Sequence, residues 1–178
     1  MACYTGKASL TETDPNWKSS GKLTQELITC MKKHAQNFGI DWKWLAALSN
    51  AESTWNIRNP INNKGFGGLF SYKATYMDSE HNDVFNYDDQ TYCAAKDMKR
   101  RLKDAKDKYN MTGEEAYLYA CIAHNMGDGG VKNVMKDTQP KTIQSLINTM
   151  KKKNKPDENI KHPLHCKTAY DYVVKNYK

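Results

Sequence analysis

The sequence predicts a mainly α-helical fold, and three observations predict it. Apolar residues recur at helical spacing in six separate stretches. Alternating, strand-like runs are scarce. The proline and glycine residues fall between the periodic stretches rather than inside them. The 178 residues suffice for one domain with a real core. With 39% hydrophobic and 26% charged residues the composition is that of a globular chain.

The elements follow in order. Residues 1–20 read as an irregular lead-in, and 21–178 as the domain. Leu23, Leu27, Cys30, Met31, His34, Ala35 and Phe38 trace one helical face, which Gly39 ends. "DWKWLAALSNAES" (41–53) is a second helix, with Lys43 and Asn50 expected on a polar face. From Trp55 to Asp89 the periodicity stops. Pro60, Asn62, Asn63, Gly65, Gly67 and Gly68 predict a long loop or a small β-hairpin there, and a loop of that length usually carries function. Helices resume over 90–109 and 112–127, the latter opening on a capping box of Thr112 and Glu115. Two more are expected around 140–152 and 163–177.

Charge and cysteine usage narrow the function. The net charge of +7 suits a polyanionic partner such as nucleic acid, anionic lipid or bacterial wall. The dense run "KKKNK" (151–155) reads as a solvated helix end. A nucleic-acid binder rests on charge alone, because no basic helix interleaves base-reading residues. No run of roughly 18 apolar residues exists, so no membrane insertion is expected. The start of the chain shows no secretory h-region. Cys30, Cys93, Cys121 and Cys166 fall on apolar helix faces and read as buried free thiols. "HPLHC" (162–166) offers His162, His165 and Cys166 as metal ligands, but no second ligand cluster accompanies them, so no metal is expected.

Glu52 breaks the pattern. In "WLAALSNAESTWN" (44–56) it points within about 40° of Leu45 and Leu48, by 100° per residue. It stands in the last helical turn, where the helix dipole disfavours negative charge. Burial and dipole both raise a carboxyl pKa, and a carboxyl that keeps its proton near neutrality is a general acid.

Downstream residues support that role. Glu52–Ser53 is followed by a glycine-rich stretch with Gly65, Gly68 and Leu69, then by "ACIAHNMGDGGV" (120–131) and a closing "AYDYVVKNY" (169–177). This order resembles the soluble lytic transglycosylase family, to which goose-type lysozymes are related. Its Glu-Ser pair, Gly-Leu-Met-Gln loop and Ala-Tyr-Asn-Ala-Gly motif align with Glu52–Ser53, with Gly68–Leu69 and with Ala123, Asn125 and Gly127. The likeness spans about 25–177. Two positions depart: Ser71 stands for the loop glutamine and His124 for the motif tyrosine.

The resemblance implies a lysozyme-like domain that cleaves peptidoglycan between N-acetylmuramic acid and N-acetylglucosamine. Glu52 would act as acid and then base, without metal or cofactor. Ser53, Gly68, Leu69, Ser71, His124, Asn125 and Tyr172 would line the substrate cleft. Hydrolysis in the goose-type manner is the close alternative and needs a second carboxylate. Asp78, Asp83, Asp88 and Asp89 are the candidates, since 53–77 contains no Asp or Glu. A non-catalytic glycan-binding or structural part of a phage particle or secretion machine is a third reading. The setting implied is the bacterial wall, reached by phage-type release or from a virion, by a monomer.

Overall fold

The computed structural model describes residues 21–177, so the expected lead-in at 1–20 and Cys3 lie outside it. Six α-helices and no strands make up these residues: α1 (Gln25–Phe38), α2 (Trp42–Ser53), α3 (Tyr87–Tyr109), α4 (Gly113–Met135), α5 (Ile143–Lys152) and α6 (Asp157–Asn176). None is long and apolar enough to cross a membrane.

Local chemistry sets the helix ends. Thr24 caps α1 by accepting from the Leu27 N–H, and Gly39 closes it at φ 64°, a left-handed turn that suits glycine. Asp41 caps α2 through the Lys43 N–H. Asn86 caps α3 by accepting from Asp88 and Asp89, which starts that helix at Tyr87 rather than at residue 90.

Three further expectations about the helix ends need correction. The capping box does not form: Thr112 makes no side-chain cap, and Glu115 turns away to accept from the Ile143 N–H at 2.6 Å, tying α4 to α5. α4 continues to Met135 across a kink at Gly127 (φ 72°, ψ 154°), so the glycine-rich turn bends the helix without ending it. α6 begins at Asp157, six residues before the expected start at 163, with Pro163 inside it. Acidic Asp157 and Glu158 favour a helix start by opposing the dipole, a signal that carries no apolar period.

α2 is the central helix. Trp44 through Asn50 are all buried, so the polar face expected at Asn50 does not exist; its Oδ1 instead lies 3.3 Å from His165 Nε2 of α6. α2 packs mainly on α6 and α1, while α3 joins α1 to α4 and α5 covers α4. The Trp44 ring is stacked against Tyr117 of α4 at 5.3 Å and Tyr170 of α6 at 4.1 Å. Both phenols also reach Asp41: Tyr117 accepts from its N–H and Tyr170 donates to its carboxylate. The start of α2 is thereby fixed, and Glu52 is carried eleven residues along a rigid rod.

The segment between α2 and α3 is a loop and not a hairpin. Two isolated bridges, Gly67 with Tyr72 and Asp78 with His81, and a 3-10 turn at Ala74–Tyr76 are its only regular features. Asparagines satisfy its backbone locally: Asn62 accepts from the Lys64 and Phe66 N–H groups, and Asn56 from Arg58.

Candidate active site

Glu52 stands in the last turn of α2, and its side chain is 13% exposed. Its Oε1 is buried without a hydrogen-bond partner. His162 Nε2 of α6 lies 3.5 Å from that oxygen, too far for a formed hydrogen bond. Burial pushes the Glu52 pKa up to about 8, partly opposed by the positive charge of Arg101. Near neutrality the group is therefore a carboxylic acid. His162 is buried, and desolvation together with His124 and His165 pushes its pKa down to about 3. The Glu52–His162 contact is thus between two neutral groups, and the Glu52 proton is not committed to a strong acceptor.

His124 is held in one tautomer. The Phe70 carbonyl can only accept, so Nε2 donates to it at 2.9 Å. Arg101 can only donate, so Nδ1 accepts from Nη1 at 3.3 Å. Burial and the neighbouring guanidinium push this ring's pKa down to about 4. Arg101 is anchored in turn by Asp128 at 3.1 Å, and Tyr72 donates to Asp97 beside it at 3.0 Å.

The loop segment 67–72 is where the predicted residues meet. Ser53 donates to the Leu69 carbonyl at 2.7 Å as well as to Ser49 of its own helix. Gly68 has φ 73°, and a Cβ there would lie 1.9 Å from the Val84 carbonyl and 2.1 Å from Gln90 Nε2. Leu69 is buried, and Ser71 is half-buried at φ 53°. His124 adds its bond to Phe70 from α4. Asn125 lies apart from this loop, accepting from Asn159 of α6. Tyr172 faces the Trp55 ring at 6.2 Å and Tyr177 at 6.3 Å.

Three residues were not singled out for these places by their sequence. Gln90 is fully buried and stitches the loop: Oε1 accepts from Phe70 N at 2.6 Å, and Nε2 donates to Gly67 O and Val84 O. It stands in "NYDDQ" (86–90), which resembles the transglycosylase family's Asp-rich lead into its next helix and so points to a helix start, not to a buried anchor. Arg101 stands in the expected helix over 90–109, off the apolar side that marks that helix. His162 had a signal, the "HPLHC" cluster, but as a metal ligand. His162 Nε2 does lie 3.6 Å from Cys166 Sγ. Cys30, Cys93, Cys121 and Cys166 are buried and free, as expected.

The four candidate second carboxylates are engaged elsewhere. Asp78 pairs with Lys96, Asp88 with Lys33 and His34, and Asp89 with His81. Asp83 accepts from the Phe85 N–H. Among the described residues Arg101 is the charge that acts on Glu52. No protein-family model matches the chain, and no curated protein matches it.

Proposed function

We propose that this chain is a peptidoglycan lytic transglycosylase acting on the β-1,4 bond between N-acetylmuramic acid and N-acetylglucosamine. One observation carries the reading: a carboxyl at a helix end, buried, protonated near neutrality and, among the described residues, with no second carboxylate acting on it. A group of that kind suits a reaction in which one residue serves twice.

Glu52 gives its proton to the glycosidic oxygen, and the bond to C1 breaks. The substrate's N-acetyl group stabilises the positive charge left on the sugar. Glu52, now a carboxylate facing Arg101, takes the proton of the 6-hydroxyl. That oxygen closes onto C1 and leaves a 1,6-anhydro end. The proton borrowed is returned, and no metal or cofactor takes part. Ser53, Gly68, Leu69 and Ser71 shape the wall of the cleft. His124 holds that wall through Phe70, while Asn125 and Tyr172 contact substrate further along α4 and α6. The net charge of +7 favours association with an anionic wall. The setting that fits is a phage lysin, released at lysis or carried by the virion.

The test is digestion of purified peptidoglycan with wild type and Glu52→Gln, with the muropeptides weighed by mass spectrometry. Products lighter by one water than hydrolytic ones, absent with the variant, are expected. Glu52-dependent products with ordinary reducing ends would instead make the chain a goose-type muramidase. Retained wall binding with no products from several wall types would replace catalysis with a glycan-binding role.

A further inference from the structure

The junction of α1 with the start of α3 holds a second cluster that the proposed reaction does not use. Cys30 and His34 stand four residues apart on α1, which puts them on one face. Asp88 stands in the first turn of α3. Asp88 Oδ1 is 3.5 Å from Cys30 Sγ and 3.0 Å from His34 Nε2, and all three ligand atoms lie within 4.8 Å of one another. A tetrahedral ion at about 2.3 Å from sulfur and about 2.0 Å from nitrogen and oxygen sets its ligands roughly 3.3–3.6 Å apart. The cluster therefore needs only small shifts to close around one.

We propose that Cys30, His34 and Asp88 form a three-ligand site for a zinc-class divalent cation, which clamps α1 to the start of α3. The donor set of one thiolate, one imidazole and one carboxylate selects a borderline-soft ion over magnesium or calcium. A surface groove of about 390 Å³, bordered by Gln25, Thr29 and Tyr87, adjoins Cys30 and Asp88 and gives the ion a path in. The fourth position is left for water.

Two neighbours set the affinity. Lys33 is more than half exposed and its ammonium lies 3.0 Å from Asp88 Oδ1, the oxygen an ion would take. It competes with the ion and can swing into solvent. His34 Nδ1 is buried and has no acceptor, whereas tight sites usually supply one to the outer ring nitrogen. Binding is therefore modest and proton-linked. Cys30–SH gives its proton to solvent as the sulfur–metal bond forms. Asp88 Oδ1 already accepts from Lys33 Nζ and His34 Nε2, so this oxygen faces the place the ion would take.

Cobalt(II) titration of the full chain under reducing conditions tests the site. A sulfur-to-cobalt charge-transfer band is expected to saturate at one equivalent and to bleach on adding zinc. Affinity should fall about tenfold for each unit decrease in pH near neutrality, since one proton is released. Cys30→Ser should abolish the band, Asp88→Asn should weaken binding at least tenfold, and Lys33→Met should tighten it several-fold. Lys33→Met is a surface change whose effect runs opposite to a folding defect, so it reads the site even where Cys30→Ser fails to fold. Absence of the band from both wild type and Lys33→Met overturns the proposal. So does a band that survives Cys30→Ser in a folded protein, or one that disappears with Cys166→Ser.

Discussion

Removing the Glu52 carboxyl from water disfavours its charged form, and this has a thermodynamic signature apart from catalysis. Its folded pKa is about 8 against an ordinary value of 4.5. The native state keeps this proton while the unfolded chain has released it, so stability falls as pH rises from about 4.5 to about 8 and then levels off. Each pKa unit corresponds to about 1.4 kcal/mol, so the group costs several kcal/mol at pH 8. Glu52→Gln keeps the shape and removes the ionisation. The variant should match wild type near pH 4.5 in urea unfolding and exceed it by several kcal/mol at pH 8. A gap that does not change with pH would remove the raised pKa, and with it the case for a general acid. Glu52 was legible in the sequence because a helical period and a helix end both act on one residue. His162 and Arg101 were not, because their effect on Glu52 comes from other helices brought alongside.

At the scale of elements, the loop between α2 and α3 depends on a few points of attachment. Gln90 satisfies three buried backbone groups, those of Phe70, Gly67 and Val84. An unsatisfied buried group costs about 1–3 kcal/mol. Gln90→Leu should therefore cost about 3–5 kcal/mol in denaturant unfolding and speed amide exchange at Phe70, with helical circular dichroism retained below the transition. Gly68→Ala should do similar damage by another route: its Cβ would meet the Val84 carbonyl at 1.9 Å, in a backbone conformation that L residues avoid. Wild-type exchange at Phe70 in Gln90→Leu would show that the loop is held some other way. Helix ends set by one residue, such as Gly39, were legible. The start of α6 was not, because Asp157 and Glu158 favour it through charge and leave no apolar period. The Thr112–Glu115 box failed because Ile143, 28 residues away in sequence from Glu115, offers its N–H to the same carboxylate. A local pattern cannot register such a competitor.

For the whole molecule, the buried groups oppose one another across pH. His124 and His162 have pKa values pushed down to about 4 and about 3 from an ordinary 6.5, so each binds a proton more readily when unfolded. Their contribution is complete above about pH 6.5 and is lost as pH falls toward 3–4. Glu52 acts in the other sense between about 4.5 and 8. From 6.5 down to 4.5 the two histidines outweigh Glu52 by at most one proton, about 1.4 kcal/mol per pH unit, because burial also raises the Glu114 and Glu115 carboxyls and these act in the same sense as Glu52. Above 6.5 the histidines no longer contribute, and Glu52 makes stability decline by about 1.4 kcal/mol per pH unit to about pH 8. The urea midpoint should therefore peak near pH 6–7. The acid limb should steepen below about 4.5, where Glu52 no longer offsets the histidines and Asp88, held down to about 2, begins to lose its pairing. General repulsion among the surplus of basic side chains also rises in acid, but it is screened by salt, whereas buried histidines are screened much less. The acid limb should persist in about 1 M salt, and Glu52→Gln should flatten the alkaline limb while leaving the acid one. An acid limb that vanishes in salt would assign it to surface charge and dismiss the two histidines as its cause.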